Sequence, residues 1–399
     1  MGEPVTIIQY WCGCPQLPNS RWRRLLELVR RCREMGWATR IVWSDMPADT
    51  AAIVEPFEDL GCRIDLHPRP RGTLDLACVG RVYRLCRRTR CDLFHCYNVH
   101  TSPLVGAALA GVGARAWSKL SMSSWYEQGI APRGYHRLQP AVRLSCLSAG
   151  QVMALSSAVR RELLELGVRP QKVSVVRAPV ELELYRQADR ERARGAMGWP
   201  AGDMVVATVG HAVPVKGWDV LIEAFAMVAR QVPAARLAMV GSCTGRTEEA
   251  FWRRLCLRVN ELDLVGKVQW LGQRTDVWRV LAGADVFAFP SRSDGQGLAL
   301  TEAMAAGLPC VASAVGGIPE MVAAERNGLL FEREDAAGMA RQLMRVLNDR
   351  GLRSRLGASA RGTAEHYSMD RFVEQTLTHY QALLGLPAAG AREALGREA

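Results

Sequence analysis

The sequence predicts an α/β protein built from two doubly wound domains, each a parallel sheet flanked by helices. Its 399 residues exceed one ordinary core and suit two domains of about 150–200 residues. Apolar, β-branched runs alternate with segments of helical period along both halves. Single strands separated by single helices pair in parallel through right-handed crossovers.

The elements follow in order. Residues 5–10 are an apolar, β-branched run suited to a buried parallel strand. Ser20 can cap a helix over 20–35, with Gly36 as its stop. On that helix Trp22, Leu25, Leu26, Val29 and Cys32 share one face, and Arg23, Glu27, Arg30, Arg31 and Glu34 another. The pattern recurs as strands over 38–43, 62–66 and 92–96 and helices over 73–89 and 102–110. Around 181–201 it loosens into a charged stretch ending in Trp199-Pro200. The expected domains are therefore 1–185 and 186–368. The second begins with a strand at 204–209, a helix at 217–230 and a strand at 236–240. A helix at 248–260, a strand at 268–271, a helix at 275–282 and a strand at 286–289 come next. A helix over 298–306, a strand at 310–312, a segment at 328–331 and helices over 336–348 and 352–365 complete it. A last helix over 369–384 is expected to pack toward the N-terminal domain, with 385–399 a frayed tail. Ligands of such sheets bind at the carboxyl ends of strands, so a cleft between the two domains is the expected site.

Composition narrows the class. An apolar share of 49% with 23% charged residues belongs to a globular chain, not a disordered one. No stretch approaches the ~18 apolar residues of a membrane span. The first residues, MGEPVTIIQYW, lack the pattern of a signal peptide, so the expected location is the cytoplasm. Of twelve cysteines, Cys12 and Cys14 form the one close pair, without zinc spacing; most are read as small buried hydrophobes. Residues 1–200 carry 29 Lys and Arg against 18 Asp and Glu, whereas 201–399 carry 22 of each. The excess positive charge thus sits in the first half and suggests an anionic partner there. A membrane surface touching the Arg face of the first helix is favoured over solvated pairing with Glu27 and Glu34. No motif supports nucleic acid.

The segment FPSRSDGQGLALTEAMAAGLP (289–309) carries the sharpest chemistry. A strand ends at Phe289, and Gly295 and Gly297 leave bare backbone before a helix starts near Leu298. Amides at a helix start, with the positive end of its dipole, suit a diphosphate. Glu302, about one turn inside, can accept hydrogen bonds from both ribose hydroxyls. A second turn reads VGHAVPVKGWD over 209–219.

These segments resemble the E-x7-E signature and the G-R…K-G turn of retaining glycosyltransferases of family 4, which have the GT-B fold of two facing Rossmann-like domains. The resemblance covers roughly 204–335 and includes ADVFAFPS at 284–291 and GGIPE at 316–320. It implies that Lys216, His211 and the amides near Gly297 stabilise a departing nucleoside diphosphate. It also implies that Asp294 touches the donor sugar, and that Gly13, Gly210, Gly295, Leu298 and Glu302 complete the donor site. Asp294 stands where the family usually has Glu, and His211 where it usually has Arg. The alternative for Asp294 is a helix cap, and for His211 a histidine filling the turn. DLFHCYNVH over 92–100 resembles a family strand and makes His95 and His100 acceptor-side candidates beside a structural reading. WSKLSMSSW over 117–125 lacks the family's histidine, and Ala178-Pro179 replaces its Asn-Gly. The first loop offers only Gly13.

The implied activity is retaining glycosyl transfer from a nucleotide sugar to a glycan or lipid-linked acceptor, in cell-envelope polysaccharide or glycolipid synthesis. No cofactor and no metal is expected. A cytoplasmic protein, peripheral on the inner face of the membrane, is the implied setting. A catalytically impaired nucleotide-sugar binder and, further off, a sugar-nucleotide epimerase are the alternatives.

Overall fold

The computed structural model describes residues 4–11, 20–44, 51–72, 74–97, 101–122, 138–243 and 246–387. They form two compact units, one drawn from residues up to 121, 138–177 and 369 onward, the other from 178–368.

The first unit contains β1 (Thr6–Trp11), α1 (Ser20–Glu34), β2 (Ala38–Trp43), α2 (Ala51–Glu58), β3 (Arg63–Leu66) and α3 (Leu76–Thr89). It continues with β4 (Leu93–Tyr97), α4 (Ser102–Leu109), β5 (Ala114–Lys119), α5 (Leu138–Ser148), β6 (Gln151–Ala154), α6 (Ser157–Glu165) and β7 (Val173–Val175). The strands form one parallel sheet in the order β3-β2-β1-β4-β5-β6-β7. The order reverses direction between β1 and β4, the switch point of a doubly wound sheet. The α1 face seen in the sequence is buried: Trp22, Leu25 and Val29 pack with Trp43, Ile53 and Phe57.

The second unit opens with α7 (Leu182–Arg186) and α8 (Arg190–Met197), where the sequence suggested only a loosened charged stretch. Local chemistry explains α8. The Asp189 carboxylate caps the Arg192 N–H, and Gly198 ends the helix in the left-handed region at φ 69°. Then come β8 (Met204–Val209), α9 (Trp218–Gln231), β9 (Ala235–Val240), α10 (Arg246–Glu261), β10 (Val268–Trp270), α11 (Val277–Gly283) and β11 (Val286–Phe289). The rest is α12 (Leu298–Ala305), β12 (Cys310–Ser313), α13 (Ile318–Met321), β13 (Gly328–Phe331), α14 (Ala336–Asn348) and α15 (Arg350–Ala364). This sheet is parallel in the order β10-β9-β8-β11-β12-β13. Both its faces are covered, as the period of two requires. Val206 and Ala288 join Trp218 and Phe225 of α9, while Ala207 and Phe287 join Leu300 and Met304 of α12.

The last helix, α16 (Met369–Leu384), belongs to the first unit, where Phe372, Val373 and Tyr380 pack with Ile7, Leu28 and Leu93. Among the described residues no helix is long and apolar enough to cross a membrane. The ten described cysteines carry no disulfide, and eight are buried. Burial pushes the Cys32 and Cys62 thiols up to about 12, so they act as small apolar side chains. Cys12 and Cys14 lie outside the described residues.

Candidate functional site

Strands β8 and β11 are neighbours at the switch point of the second sheet, and the loops that leave their carboxyl ends carry the two motifs. After β8 the chain passes Gly210 and His211, turns through a short 3₁₀ segment (Pro214–Lys216), and enters α9 at Gly217. Gly217 has φ 64°, and a Cβ there would come within 2.0 Å of the Pro290 carbonyl oxygen. Only glycine lets the two loops approach this closely. The Arg292 N–H donates to the Val215 carbonyl at 2.8 Å, tying one loop to the other.

This approach joins the two motifs found 78 residues apart. Lys216 Nζ donates to Asp294 Oδ2 at 2.7 Å and lies 5.7 Å from the centre of the Phe289 ring. The other carboxylate oxygen, Asp294 Oδ1, accepts from the backbone N–H of Gly297 at 2.7 Å and of Gln296 at 3.2 Å. Asp294 therefore shapes the turn that leads into α12, whose N-cap is Gly297 without a side-chain cap bond, and at the same time pairs with the lysine. Gly297, at φ 75°, is the residue that leads into α12, and Leu298 is its first turn. Glu302 lies on that helix, half-buried. Gly295 is part of the same turn. His211 is exposed, and its Nδ1 is 2.6 Å from Ser242 Oγ in the loop after β9.

Three residues of this site were not legible as functional in the sequence. Gln296 is fully buried and turns away from the glycines on either side of it. Its Oε1 accepts from the Ala178 N–H and its Nε2 donates to the Ala178 carbonyl, both at 2.7 Å. Ala178 is the position where the family pattern has Asn, and here its backbone is bonded by the Gln296 amide of the loop. Arg292 pairs with both carboxylate oxygens of Asp219 at 3.0 and 2.9 Å and with Glu334 at 2.7 Å. Burial alone lowers the basicity of this guanidinium, but the hydrogen bonds it donates to Asp219 and Glu334 outweigh this and raise its pKa. It braces the loop against the start of α9. Ser242 is the third, through its bond to His211. An Arg two residues before Asp294 was the one available signal.

The acceptor-side candidates fare differently. His95 lies in β4 of the first unit, 1% exposed, with Nδ1 2.5 Å from Tyr380 Oη and Nε2 2.8 Å from Ser118 Oγ. Parallel register sets it beside Gln9, whose amide donates to Tyr380 Oη at 3.0 Å and accepts from Tyr97 Oη at 3.0 Å. Burial, reinforced by the charge of Arg24 and by His379, pushes the His95 pKa down to about 3. Both ring nitrogens have partners inside the unit, an arrangement that suits the structural reading held beside the acceptor one. His100 and Gly13 lie outside the described residues. The Arg face of α1 is also largely committed: Arg30 pairs with Glu27 at 2.5 Å, and Arg31 with Asp370 at 2.8 Å.

Comparison with known proteins follows the same division. Residues 189–363 match the family model of glycosyl transferases group 1, and residues 22–179 that of the glycosyl transferase 4-like domain. A D-inositol 3-phosphate glycosyltransferase of Mycobacterium marinum is 34% identical over 232 residues, 56% of this chain and 48% of that protein. The protein of the same description from Salinispora arenicola is 37% identical over 222 residues, 53% of this chain and 50% of its own. The chain thus spans about half the length of the curated relatives it matches. Among solved structures, Anabaena HepE in complex with UDP superposes with a TM-score of 0.77 at 19% identity, covering 94% of this chain and 98% of that one. Sucrose-phosphate synthase of Thermosynechococcus elongatus gives 0.79 at 22% identity, covering 96% and 99%. These likenesses fix the fold as GT-B, with two Rossmann-like parallel sheets.

Proposed function

The chain belongs to the glycosyl transferases group 1, and from that premise we propose that it transfers a sugar from a nucleotide-sugar donor held by its second unit. The observation that carries this reading is the 2.7 Å contact between Lys216 and Asp294, which assembles the K-G turn and the D-x7-E loop at one switch point. A diphosphate there meets a lysine cation, the amides that open α12 and the positive end of its dipole. Glu302 is the anchor for the ribose hydroxyls. The family model, and the UDP carried by the structure of Anabaena HepE, make a uridine diphosphate sugar the first donor to try.

The chemistry we propose is retaining. The bond between the anomeric carbon and the diphosphate oxygen breaks, and the acceptor oxygen bonds that carbon from the same face. The acceptor proton passes to the departing phosphate, so no strong base is required. The side chains act on growing negative charge: Lys216 and the α12 amides oppose it, and His211, oriented by Ser242, adds a hydrogen bond. We take these groups, rather than a metal, to neutralise the leaving group; turnover unaffected by a chelator is the expected result. Asp294 reaches the sugar hydroxyls from beside Lys216, with a side chain shorter than glutamate by about one bond of ~1.5 Å.

The acceptor we propose is a glycan or lipid-linked molecule of the cell envelope. Support comes from the positive excess of the first half. The surface best suited to an anionic bilayer is α3 rather than α1. There Arg84 and Arg87 are exposed beside Leu76 and Tyr83, whereas Arg30 and Arg31 of α1 have carboxylate partners. Binding of nucleotide sugars by calorimetry, with product analysis by mass spectrometry, tests the whole reading. Glu302→Ala should abolish donor binding, and unchanged affinity would sink the site assignment. Binding without turnover in the native chain would favour the impaired binder, and an altered free nucleotide sugar the epimerase.

A further inference from the structure

The second unit has a cavity of about 490 Å³ at the opposite end of its sheet from the donor loops. It opens where Ala284 and Asp285 enter β11 and where Gly307, Leu308 and Pro309 enter β12, against the side of α15. The sheet separates it from the Lys216–Asp294 pair by the length of β11, four residues or about 13 Å. It is therefore a separate place in the molecule.

Four arginines line it: Arg190 from α8, and Arg350, Arg353 and Arg361 from α15. Asp285 is the one acid among the lining residues, and its charge is already committed. Its oxygens accept from Arg190 at 2.7 Å, from Arg194 at 3.3 Å and from the Val205 N–H at 2.8 Å. Arg353 Nη1 donates to the Val346 and Leu347 carbonyls at 2.9 and 3.1 Å, and Arg361 Nη2 to the Ala306 carbonyl at 3.0 Å. Those bonds orient the two guanidinium groups without cancelling their charge. Each guanidinium has five N–H donors, so most remain for a ligand. Among the described residues no carboxylate forms an ion pair with Arg350, Arg353 or Arg361. Ser354 adds a hydroxyl to the lining.

Arg353 and Arg361 are held at the carbonyl ends of α14 and α12, and Arg350 lies on the same helix wall, so an anion in the cavity would meet three guanidinium groups with donors to spare. Packing brings the wall in close: a Cβ on Gly357 of α15 would meet the Gly307 carbonyl oxygen at 2.3 Å. The volume lies within the ~300–1,000 Å³ usual for small-molecule sites. Planar guanidinium forks match phosphate oxygens in pairs. We propose that this cavity is a second anion site, taking a phosphate- or diphosphate-bearing small molecule independently of the donor loops.

Inorganic pyrophosphate is the probe, because it carries the shared chemistry without a base or a sugar. It is titrated by calorimetry into the full chain, Lys216→Ala, Arg350→Glu and the double variant. Lys216→Ala removes the donor-loop contribution, so the expected result is one saturable event retained in that variant. Adding Arg350→Glu should weaken that event at least tenfold, with the thermal unfolding midpoint unchanged. If Arg350→Glu lowers the midpoint, Arg350→Gln takes its place. Loss of all pyrophosphate binding in Lys216→Ala, or equal binding with and without Arg350→Glu, overturns the proposal. A parallel arm uses vesicles of phosphatidylglycerol. Sedimentation that depends on Arg350 while pyrophosphate fails to bind would identify a lipid headgroup and refute the small-molecule site. The donor-site reading is tested separately by Glu302→Ala, so the two can fail independently.

Discussion

Replacing Gln296 should uncouple the donor loop from residue 178. Its amide makes two 2.7 Å hydrogen bonds to the N–H and C=O of Ala178, which is fully buried, and Gln296 itself is 1% exposed. Gln296→Ala leaves a donor and an acceptor of the backbone without partners in the interior. Each such loss costs about 1–3 kcal/mol. A water entering the space would move the total toward the low end, so we expect roughly 3 kcal/mol for the pair. If exchange of the Ala178 amide is governed by local opening, that corresponds to about a hundredfold faster exchange, at ~1.4 kcal/mol per tenfold. Hydrogen exchange at that amide is the assay. Gln296→Met separates packing from hydrogen bonding, because it fills the volume but offers neither group; it should exchange nearly as fast as Gln296→Ala. Gln296→Glu keeps an acceptor for the N–H but sets an oxygen against the Ala178 carbonyl, and should rescue little. Protection of Ala178 within threefold of the parent in both Gln296→Ala and Gln296→Met would refute the reasoning.

Other expectations can be checked alongside. His95 has a folded pKa pushed down to about 3 by burial, against ~6.5 unfolded, so the unfolded chain binds the extra proton. Its contribution is fully present above about pH 6.5 and is lost as pH falls toward 3, and the loss has reached about 2 kcal/mol by pH 5. Denaturation midpoints at pH 5 and 7.5 should differ less in His95→Asn, and equal differences would count against this. Gly217→Ala forces a side chain onto the Pro290 carbonyl from a left-handed backbone, so thermal stability should fall and donor affinity drop at least tenfold. His211→Ala removes the ring that Ser242 orients, and donor affinity should fall about fivefold, the ~1 kcal/mol of one hydrogen bond; unchanged affinity would exclude His211 from the diphosphate.

What the sequence determined by itself is what depends on local period and local turn chemistry. The strand-helix alternation from 204 onward, the stop at Gly307 and the loop from Asp294 to Glu302 are written in neighbouring residues, and the structure has them as elements. The helices α7 and α8 were missed because their few turns carry no clear apolar stripe, and Asp189 and Gly198 were the available signals. Residues whose partners are far along the chain were beyond reach. Lys216 meets Asp294 only because β8 and β11, remote in sequence, are neighbours in the sheet. Gln296 sits between two glycines of a loop, and nothing nearby says that it points inward to Ala178. His95 was open in sequence to an acceptor-side role or a structural one. Parallel register and α16, some 285 residues later, enclosed it between Tyr380 and Ser118. Periodicity assigns a side chain to a face, but which polar group waits on that face is decided by strand order and by the packing of distant helices.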